Sequence, residues 1–84
     1  MYPITVRVIS PTKLLFNEPA LSVSSKNKNG KFDILAEHAN FITIVENESI
    51  IIKKANYQEV EFKFPLAIIY TSHNKVNIYT YAQN

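Results

Sequence analysis

The sequence has 84 residues, with nine Lys or Arg against seven Asp or Glu, and we expect one domain over residues 1–84. The formal net charge of +2 is too small to predict binding to nucleic acid or to a lipid surface. The absence of cysteine excludes disulfides, thiolate catalysis and cysteine-based zinc sites. The longest uninterrupted apolar run, residues 66–70, is far shorter than the roughly 20 residues that span a bilayer.

Apolar and polar side chains alternate along much of the chain, beginning near the N-terminus. Ile4, Val6 and Val8 alternate with Thr5 and Arg7. A period of two places successive side chains on opposite faces, which predicts a strand with one buried face and one wet face. The same pattern predicts inward positions in three later runs: Leu21 and Val23; Val60, Phe62 and Phe64; Val76 and Ile78.

Turn signals separate these runs. Residues 27–30 contain an Asn-Gly pair, whose tolerance of positive φ suits a tight hairpin. Residues 55–56 and 72–74 are short polar breaks of the right length for further hairpins. About nine short strands result, which predicts an all-β fold, a small antiparallel β-sandwich of two stacked sheets. Three prolines fall at the predicted run boundaries, where a missing backbone donor does least harm: Pro11, Pro19 and Pro65.

Two features depart from simple alternation. Residues 36–40 are the one predicted helical turn, and this segment is too short for an independent helix. Residues 41–45, 50–52 and 66–70 are apolar on both sides of the predicted strands, although a sheet in water needs only one apolar face. Either loops and the edges of the opposite sheet cover these side chains, or part of one outer face packs on another protein.

The sequence predicts no catalytic, cofactor-binding or metal-binding residues. His38 and His73 are the only histidines, and neither belongs to a recognisable nucleophile arrangement. Asp33 and Glu37 flank an apolar pair, but Asp33 fits better as a strand residue bonded to a neighbouring loop than as half of a catalytic dyad. The adjacent Glu37 and His38 supply at most two metal ligands. The single glycine, Gly30, excludes glycine-rich phosphate loops.

Nucleic-acid binding is also disfavoured. Tyr79 and Tyr81 are aromatic residues that could stack on bases, but the strands around them lack interleaved Lys or Arg. The residues alone therefore favour a protein-docking module over an enzyme or a nucleic-acid-binding domain.

Three segments carry a resemblance to a known family. Residues 30–43 resemble the signature of the ATP synthase epsilon chain: a glycine-containing hairpin, a short strand ending in Ile-Leu, and a turn bearing His38 and Ala39. Residues 8–18 are similar to the family's opening strand, which runs into a Thr/Ser-Pro break. Residues 74–78 look like its closing hairpin. The matches follow the family's order and cover essentially the whole chain.

The sequence departs from the family's pattern mainly in loops and strand starts. Asp33 stands where the family usually has Gly, Ala36 where it has Pro, and Asn40 near another Pro. Residues 65–67 replace a Gly-Gly pair, and Lys31 occupies a place that is often acidic in relatives. These differences bear on local backbone and on the charge of one contact more than on the fold.

The resemblance implies the family's N-terminal β-sandwich domain, a non-catalytic subunit at the foot of the rotating central stalk that helps couple proton translocation to ATP synthesis. Its partners would be the gamma subunit and the c-ring, with no nucleic acid and with membrane contact only through the ring. The alternative is a free-standing β-sandwich adaptor with no ATP synthase role. By position in the motif, the hairpin tip that contacts the ring would be Asn29, Gly30 and Lys31. The residues at or near the contact with gamma and the ring would be His38, Ala39, Asn40, Phe41 and Ile42.

The family normally continues into a C-terminal helical hairpin, whereas this sequence ends at Asn84. In the family, those helices carry inhibition of ATP hydrolysis and, in some members, ATP binding. We therefore expect this chain to do neither and to need no cofactor. The resemblance also implies a peripheral subunit on the cytoplasmic face of the inner (plasma) membrane, and an isolated chain that is a monomer.

Overall fold

Eight strands make up most of residues 3–81, the part of the chain that the computed structural model describes. No helix occurs among these residues, and so none that is long and apolar enough to cross a bilayer. The ends of the expected domain, residues 1–2 and 82–84, lie outside the described part. In chain order the strands are β1 (Ile4–Ile9), β2 (Leu14–Asn27), β3 (Gly30–Ile34), β4 (Phe41–Val45), β5 (Ser49–Lys54), β6 (Glu59–Lys63), β7 (Ala67–Ser72) and β8 (Lys75–Thr80).

The predicted all-β class is confirmed, and the pairing shows how its two layers are joined. The strand order is β4-β7-β8-β1-β2-β5-β6, with β3 also paired to β2. The first half of β2 pairs with β1, while its second half pairs with β3 and β5. The two layers are therefore halves of one continuous sheet that share β2. Neighbouring strands are antiparallel except β1 and β8, which are parallel.

The long β2 explains why eight strands replace the nine that were predicted. Pro19 lies inside β2 at an exposed position, so its predicted place at a strand boundary is wrong. A register shift against β5 between Ala20 and Ser22 marks a β-bulge. A bulge adds one residue to one strand and so changes which side later residues face. Ala20 and Val23 are therefore both fully buried, and the predicted inward position of Leu21 is wrong.

The other predicted alternations are confirmed. Ile4, Val6 and Val8 are buried, whereas Thr5 and Arg7 are exposed. In the same way β8 turns its valine and isoleucine inward, and the apolar residues of β6 are half-buried against the core. Burial of aliphatic side chains contributes the main stabilising free energy, about 25 cal/mol per Å² of apolar area. The buried apolar residues form one cluster: Ile4, Val6, Val8, Phe16, Ala20, Val23, Ile34, Val45, Ile50, Ile52, Ala67, Ile69, Val76 and Ile78.

The connection between β3 and β4 is a turn rather than the predicted helical turn over residues 36–40. The His38 N–H donates to the Leu35 carbonyl at 3.2 Å and closes four residues. Glu37 has a φ of 63°, which is the positive value that the third residue of a type II turn requires. A residue with positive φ interrupts a right-handed helix, which explains the difference.

The short breaks predicted at residues 55–56 and 72–74 are hairpin turns. Ser72 pairs with Lys75 across the second turn, so His73 and Asn74 are its only central residues. Both have positive φ, 51° and 62°, as in a type I′ turn. Such a turn matches the right-handed twist of the strands, and it holds β7 and β8 in register.

Candidate docking surface

Four strands, β4, β7, β8 and β1, turn one side toward the core and the other toward solvent. On the solvent side Ile44, Ile68, Tyr79 and Ile9 are direct neighbours in consecutive strands. Since paired strands lie about 4.8 Å apart, these side chains form an apolar row about 14 Å long. Ile44 is 54% exposed and Tyr79 is 42% exposed.

A second row lies two residues along each strand and is mixed in character. It consists of Ile42, Tyr70, Asn77 and Arg7, again direct neighbours. Ile42 is 66% exposed, and Tyr70 is 40% exposed. We refer to the two rows together as the apolar face.

The exposure of β4 bears on the two interpretations of strands that are apolar on both sides. Within residues 3–81 no loop covers Ile42 or Ile44, while their inward neighbour Val45 is fully buried. Apolar side chains scattered singly on a surface need no explanation, but Ile42 and Ile44 are contiguous with the other residues of the two rows, including Tyr70 and Tyr79. The geometry therefore favours packing of this face on another protein.

The apolar row continues into a groove of about 440 Å³ beside the end of β8. Ile9, Pro11, Ile68 and the rings of Tyr79 and Tyr81 line this groove. Apolar walls with tyrosine hydroxyl groups suit a partner side chain that is apolar with one polar end. The groove extends the apolar face toward the C-terminal part of the sheet.

The opposite outer side, formed by β3, the second half of β2, β5 and β6, is polar, and we call it the polar face. The Ser24 hydroxyl donates to the Asp33 carboxylate at 2.5 Å. The Ser49 hydroxyl donates to the Glu61 carboxylate, also at 2.5 Å. Ile51 lies between them in register and is only half-buried. Its neighbours on this face satisfy one another and leave no continuous apolar row.

Two of the predicted contact residues, His38 and Phe41, form an aromatic cluster with Phe32. The ring of Phe41 lies edge-on to Phe32 at 5.4 Å and to His38 at 5.5 Å, measured between ring centroids. The Nδ1 of His38 donates a hydrogen bond to the Ala39 carbonyl at 2.7 Å. Phe41 is half-buried in this cluster, so only Ile42 points outward onto the apolar face.

A side chain from the β7–β8 turn holds the His38 turn in place. The Oδ1 of Asn74 accepts a hydrogen bond from the Glu37 N–H at 2.6 Å. The carbonyl of Asn74 accepts another from the Thr5 N–H at 2.9 Å. One asparagine therefore joins the His38 turn, the β7–β8 turn and β1.

The other predicted group lies at the tip of the β2–β3 hairpin. Asn27 pairs with Gly30, and its Oδ1 accepts a hydrogen bond from the Asn29 N–H at 2.8 Å. Its Nδ2 donates to the Thr43 hydroxyl at 2.9 Å, which ties the tip to β4. Positive φ, 120°, occurs at Gly30 rather than at the two turn residues. Lys31 is exposed.

The structure places the eight predicted contact residues in two neighbouring groups, at the two turns that adjoin β3 and β4. The His38 turn precedes Phe41 at one end of β4, whereas the tip lies against Thr43 and Ile44 toward the other end. With about 3.3 Å per residue, Thr43 and Ile44 lie roughly 7–10 Å from Phe41 along β4.

Sequence reasoning named none of Ile44, Ile68, Tyr70 and Tyr79 as a contact residue, although they form half of the apolar face. The signal was partly visible, because residues 41–45 and 66–70 are apolar on both sides. What was missing is the register that aligns strands far apart in sequence. No group of three His, Asp or Glu side chains that could hold a metal ion occurs within residues 3–81.

Comparison with known proteins connects this geometry to a family. The family model described as the ATP synthase delta/epsilon chain β-sandwich domain matches residues 3–82. An ATP synthase epsilon chain of Protochlamydia amoebophila is 30% identical over 78 residues, which are 93% of this chain and 52% of that protein. An ATP synthase epsilon chain of Sulfurimonas denitrificans is 35% identical over 54 residues, or 64% of this chain and 42% of that protein. The chain thus spans about half the length of these curated relatives.

Two solved structures share the fold. A chain of the Euglena gracilis mitochondrial ATP synthase (OSCP/F1/c-ring) matches with a TM-score of 0.89 at 12% identity, over 98% of this chain and 52% of that one. A chain of the Tetrahymena thermophila mitochondrial ATP synthase (central stalk/c-ring) matches with a TM-score of 0.78 at 14% identity, over 93% and 63%. Identities this low show the fold alone. The family match covers nearly the whole sequence, and this chain therefore belongs to the family of the ATP synthase delta/epsilon chain β-sandwich domain.

Proposed function

We propose that this chain is a non-catalytic central-stalk subunit of an F-type ATP synthase, which docks the gamma subunit to the c-ring and helps couple proton translocation to ATP synthesis. The apolar face is the observation that carries the proposal, because it is contiguous and exposed in a member of an ATP synthase family. Exposed apolar patches of this kind mark interaction surfaces.

The gamma subunit is the proposed occupant of the apolar face. A stable interface buries about 800 Å² on each partner. The chain has a total accessible surface of 5409 Å², so such an interface would use about 15% of it. The four strands of the apolar face and the adjoining groove offer surface on this scale. Tyr70 and Tyr79 suit such a contact, because tyrosine is enriched among residues that carry binding energy.

The hairpin tip is the proposed contact with the c-ring. Asn29, Gly30 and Lys31 lie where β2 reverses into β3, and the hydrogen bonds of Asn27 hold them on a rigid support. A tip that is already ordered loses less conformational entropy when it docks. The tip is bonded to Thr43 and lies beside Ile44, so a ring contact at the tip and a gamma contact along β4 would adjoin each other.

In this proposal the subunit is peripheral to the membrane and reaches it only through the ring. The chain lies on the cytoplasmic face of the plasma membrane and is a monomer when isolated. Neither nucleic acid nor a cofactor takes part.

Co-expression with the ATP synthase gamma and c subunits of the same organism tests the proposal. The tagged wild-type chain is expected to retain both partners. Ile42→Asp places a charge in the contact and is expected to weaken gamma binding by about 2 kcal/mol or more, roughly thirtyfold. Tyr57→Asp is the matched control, since Tyr57 is 76% exposed in the β5–β6 turn, away from the apolar face.

The ring contact is tested separately with Lys31→Ala. This variant is expected to lose ring subunits from the purified complex while it keeps gamma. A wild-type chain that retains neither partner would contradict the proposal and favour a free-standing adaptor. Equal gamma binding by Ile42→Asp and Tyr57→Asp would remove the apolar face as the docking site.

A further inference from the structure

The strands of the apolar face carry cations but no anions. None of the residues of β1, β4, β7 and β8 is Asp or Glu, whereas Arg7 and Lys75 are both exposed on the outer side. Among residues 3–81 the one ion pair joins Lys54 to Glu18, at 3.0 Å. Arg7 and Lys75 thus have no ionic partner in the part of the chain that the structure describes.

The polarity of this surface changes steadily along these strands, starting from the β7–β8 turn. The row nearest the β7–β8 turn is polar and contains Ser72, Lys75 and Thr5 as direct neighbours. The next row ends in Arg7, and the last row is wholly apolar. Over four residues, or about 13 Å, the surface therefore passes from cationic to apolar. A partner that fits this surface must have the complementary order.

Covering the apolar face also removes Arg7 from water. Tyr79 and Ile9 lie one row away, and Asn77 is its direct neighbour, so a partner seated on the row also covers the guanidinium. A buried cation without an opposite charge is strongly unfavourable. A carboxylate on the partner restores the balance, and Arg binds carboxylates through two parallel hydrogen bonds.

The geometry also indicates the shape of the partner element. An extended segment lying on a sheet face, rather than at its edge, would leave its own backbone N–H and C=O groups unpaired, whereas a helix satisfies them internally. The apolar row is about 14 Å long, which corresponds to about ten residues of helix. A helix along this row places the flank beside its apolar stripe over Arg7.

We infer that the apolar face recognises an amphipathic helix whose apolar stripe is bordered by acidic residues, and that Arg7 determines this specificity. The inference rests on the proposed function in assigning that helix to the gamma subunit. It adds the chemistry of the partner: an apolar ridge toward Tyr79 and carboxylates toward Arg7 and Lys75.

Binding of two probes tests the inference. The first probe is the ATP synthase gamma subunit of the same organism. The second is a synthetic helix of about 18 residues with a leucine stripe bordered by Glu, compared with the same peptide bordered by Lys. The wild-type chain is expected to bind the Glu peptide at least about tenfold more tightly than the Lys peptide.

Three variants distinguish a specific effect of Arg7 on binding from a general effect of the net charge of the chain. Arg7→Glu is expected to weaken binding of gamma and of the Glu peptide by at least about tenfold and to reverse the peptide preference. Arg7→Gln removes the positive charge without introducing a negative one and is expected to abolish the preference without reversing it. Lys63→Glu makes the same change in net charge at an exposed position of β6, outside the apolar face, and is expected to change either affinity by less than about twofold. Circular dichroism and urea unfolding confirm that each variant folds.

The outcomes distinguish this inference from the proposed function. If gamma binds and Ile42→Asp abolishes that binding while Arg7→Glu has no effect, the proposed function stands and the acidic-helix inference is overturned. If gamma does not bind but the Glu peptide does, and depends on Arg7, the inference stands and the proposed function fails. Failure of both probes overturns both. Dimerisation of the wild-type chain that Ile42→Asp abolishes makes a second copy the occupant and also overturns the inference.

Discussion

The sandwich has two outer sides that meet water in different ways. One is formed by β4, β7, β8 and β1, and the other is formed by β3, β2, β5 and β6. Each must present side chains to water on the far side of a shared core. The polar face does so with hydroxyl–carboxylate pairs, such as Ser24 with Asp33. The apolar face presents Ile42 and Ile44, both more than half exposed. The polar side chains of one face pair with one another in the isolated chain, whereas the other face, in the proposed function, is covered by a docked partner.

Under the proposed function, the inward side of these strands provides stability and the outward side provides binding. The inward residues of β7, such as Ile69, belong to the core, while its outward residue Ile68 belongs to the apolar face. Changes to inward residues should therefore act on folding and changes to outward residues on docking. The following predictions use this separation.

The largest effect is expected from Ile69→Ala. Ile69 is fully buried, so its truncation should lower the free energy of unfolding by about 2–5 kcal/mol, enough to unfold much of a domain this small. Ile68→Ala, one residue earlier on the outward side, should cost less than about 1 kcal/mol. Urea unfolding followed by circular dichroism measures both values. Similar losses of stability in the two variants would mean that the outward side of β7 contributes to folding as much as its inward side.

The next effect is expected from Tyr79→Ala. Tyr79 lies in the middle of the apolar row, and loss of its ring should weaken gamma binding by about 2 kcal/mol, or roughly thirtyfold. Stability should change by less than about 1 kcal/mol, because the ring is 42% exposed in the free chain. Titration calorimetry with the gamma subunit measures the affinity. A polar-face substitution, Ile51→Ala, is the control and should leave that affinity unchanged.

The sequence predicted which strands exist because alternation is a local property. Val6 and Arg7 differ in burial in the way that their positions in a period-two run require. The prediction was wrong at Leu21, because a bulge depends on how β2 pairs with β5 and not on β2 alone. The helical turn predicted for residues 36–40 was wrong because Glu37 adopts positive φ, where its N–H bonds to Asn74, a residue far away in sequence.

The candidate site was only partly predictable for the same reason. The outward exposure of Ile42 follows from the local pattern. Its neighbours in the row, Tyr70 and Asn77, depend on the register of β4 with β7 and of β7 with β8. A shift of one residue in either register would turn part of the row to the core. The local turn at residues 72–75 sets the register of β7 with β8, but no local signal aligns β4 with β7, which are far apart in sequence.

A third prediction concerns the turns that end the two faces. Gly30, in the polar-face hairpin, has a φ of 120°, where side chains are strained, although a Cβ there would meet no atom within 4 Å. Gly30→Ala should therefore destabilise the fold by about 1–2 kcal/mol through backbone strain alone. Glu37, beside the apolar face, is the opposite case, because it has positive φ although it is not glycine.

Glu37→Gly should consequently stabilise the fold by about 0.5–1 kcal/mol, since relief of strain exceeds the added entropy of the unfolded chain. The backbone N–H that binds Asn74 is kept in this variant. Thermal unfolding compares both variants with wild type. Destabilisation by Glu37→Gly would show that the carboxylate itself contributes to the turn.

The smallest effect is expected on the polar face. Asp33→Ala removes the acceptor of the Ser24 hydroxyl, and because both side chains meet water, the loss should be about 0.5–1 kcal/mol. Asp33→Asn keeps an oxygen acceptor and should recover most of that loss. Neither variant should change the affinity for gamma, because Asp33 lies on the opposite side of the sandwich from the apolar row. Urea unfolding and titration calorimetry measure the two quantities on the same samples. A tenfold loss of gamma affinity in Asp33→Ala would place part of the interface on the polar face, and the separation of folding from docking would no longer follow the two sides of the sheet.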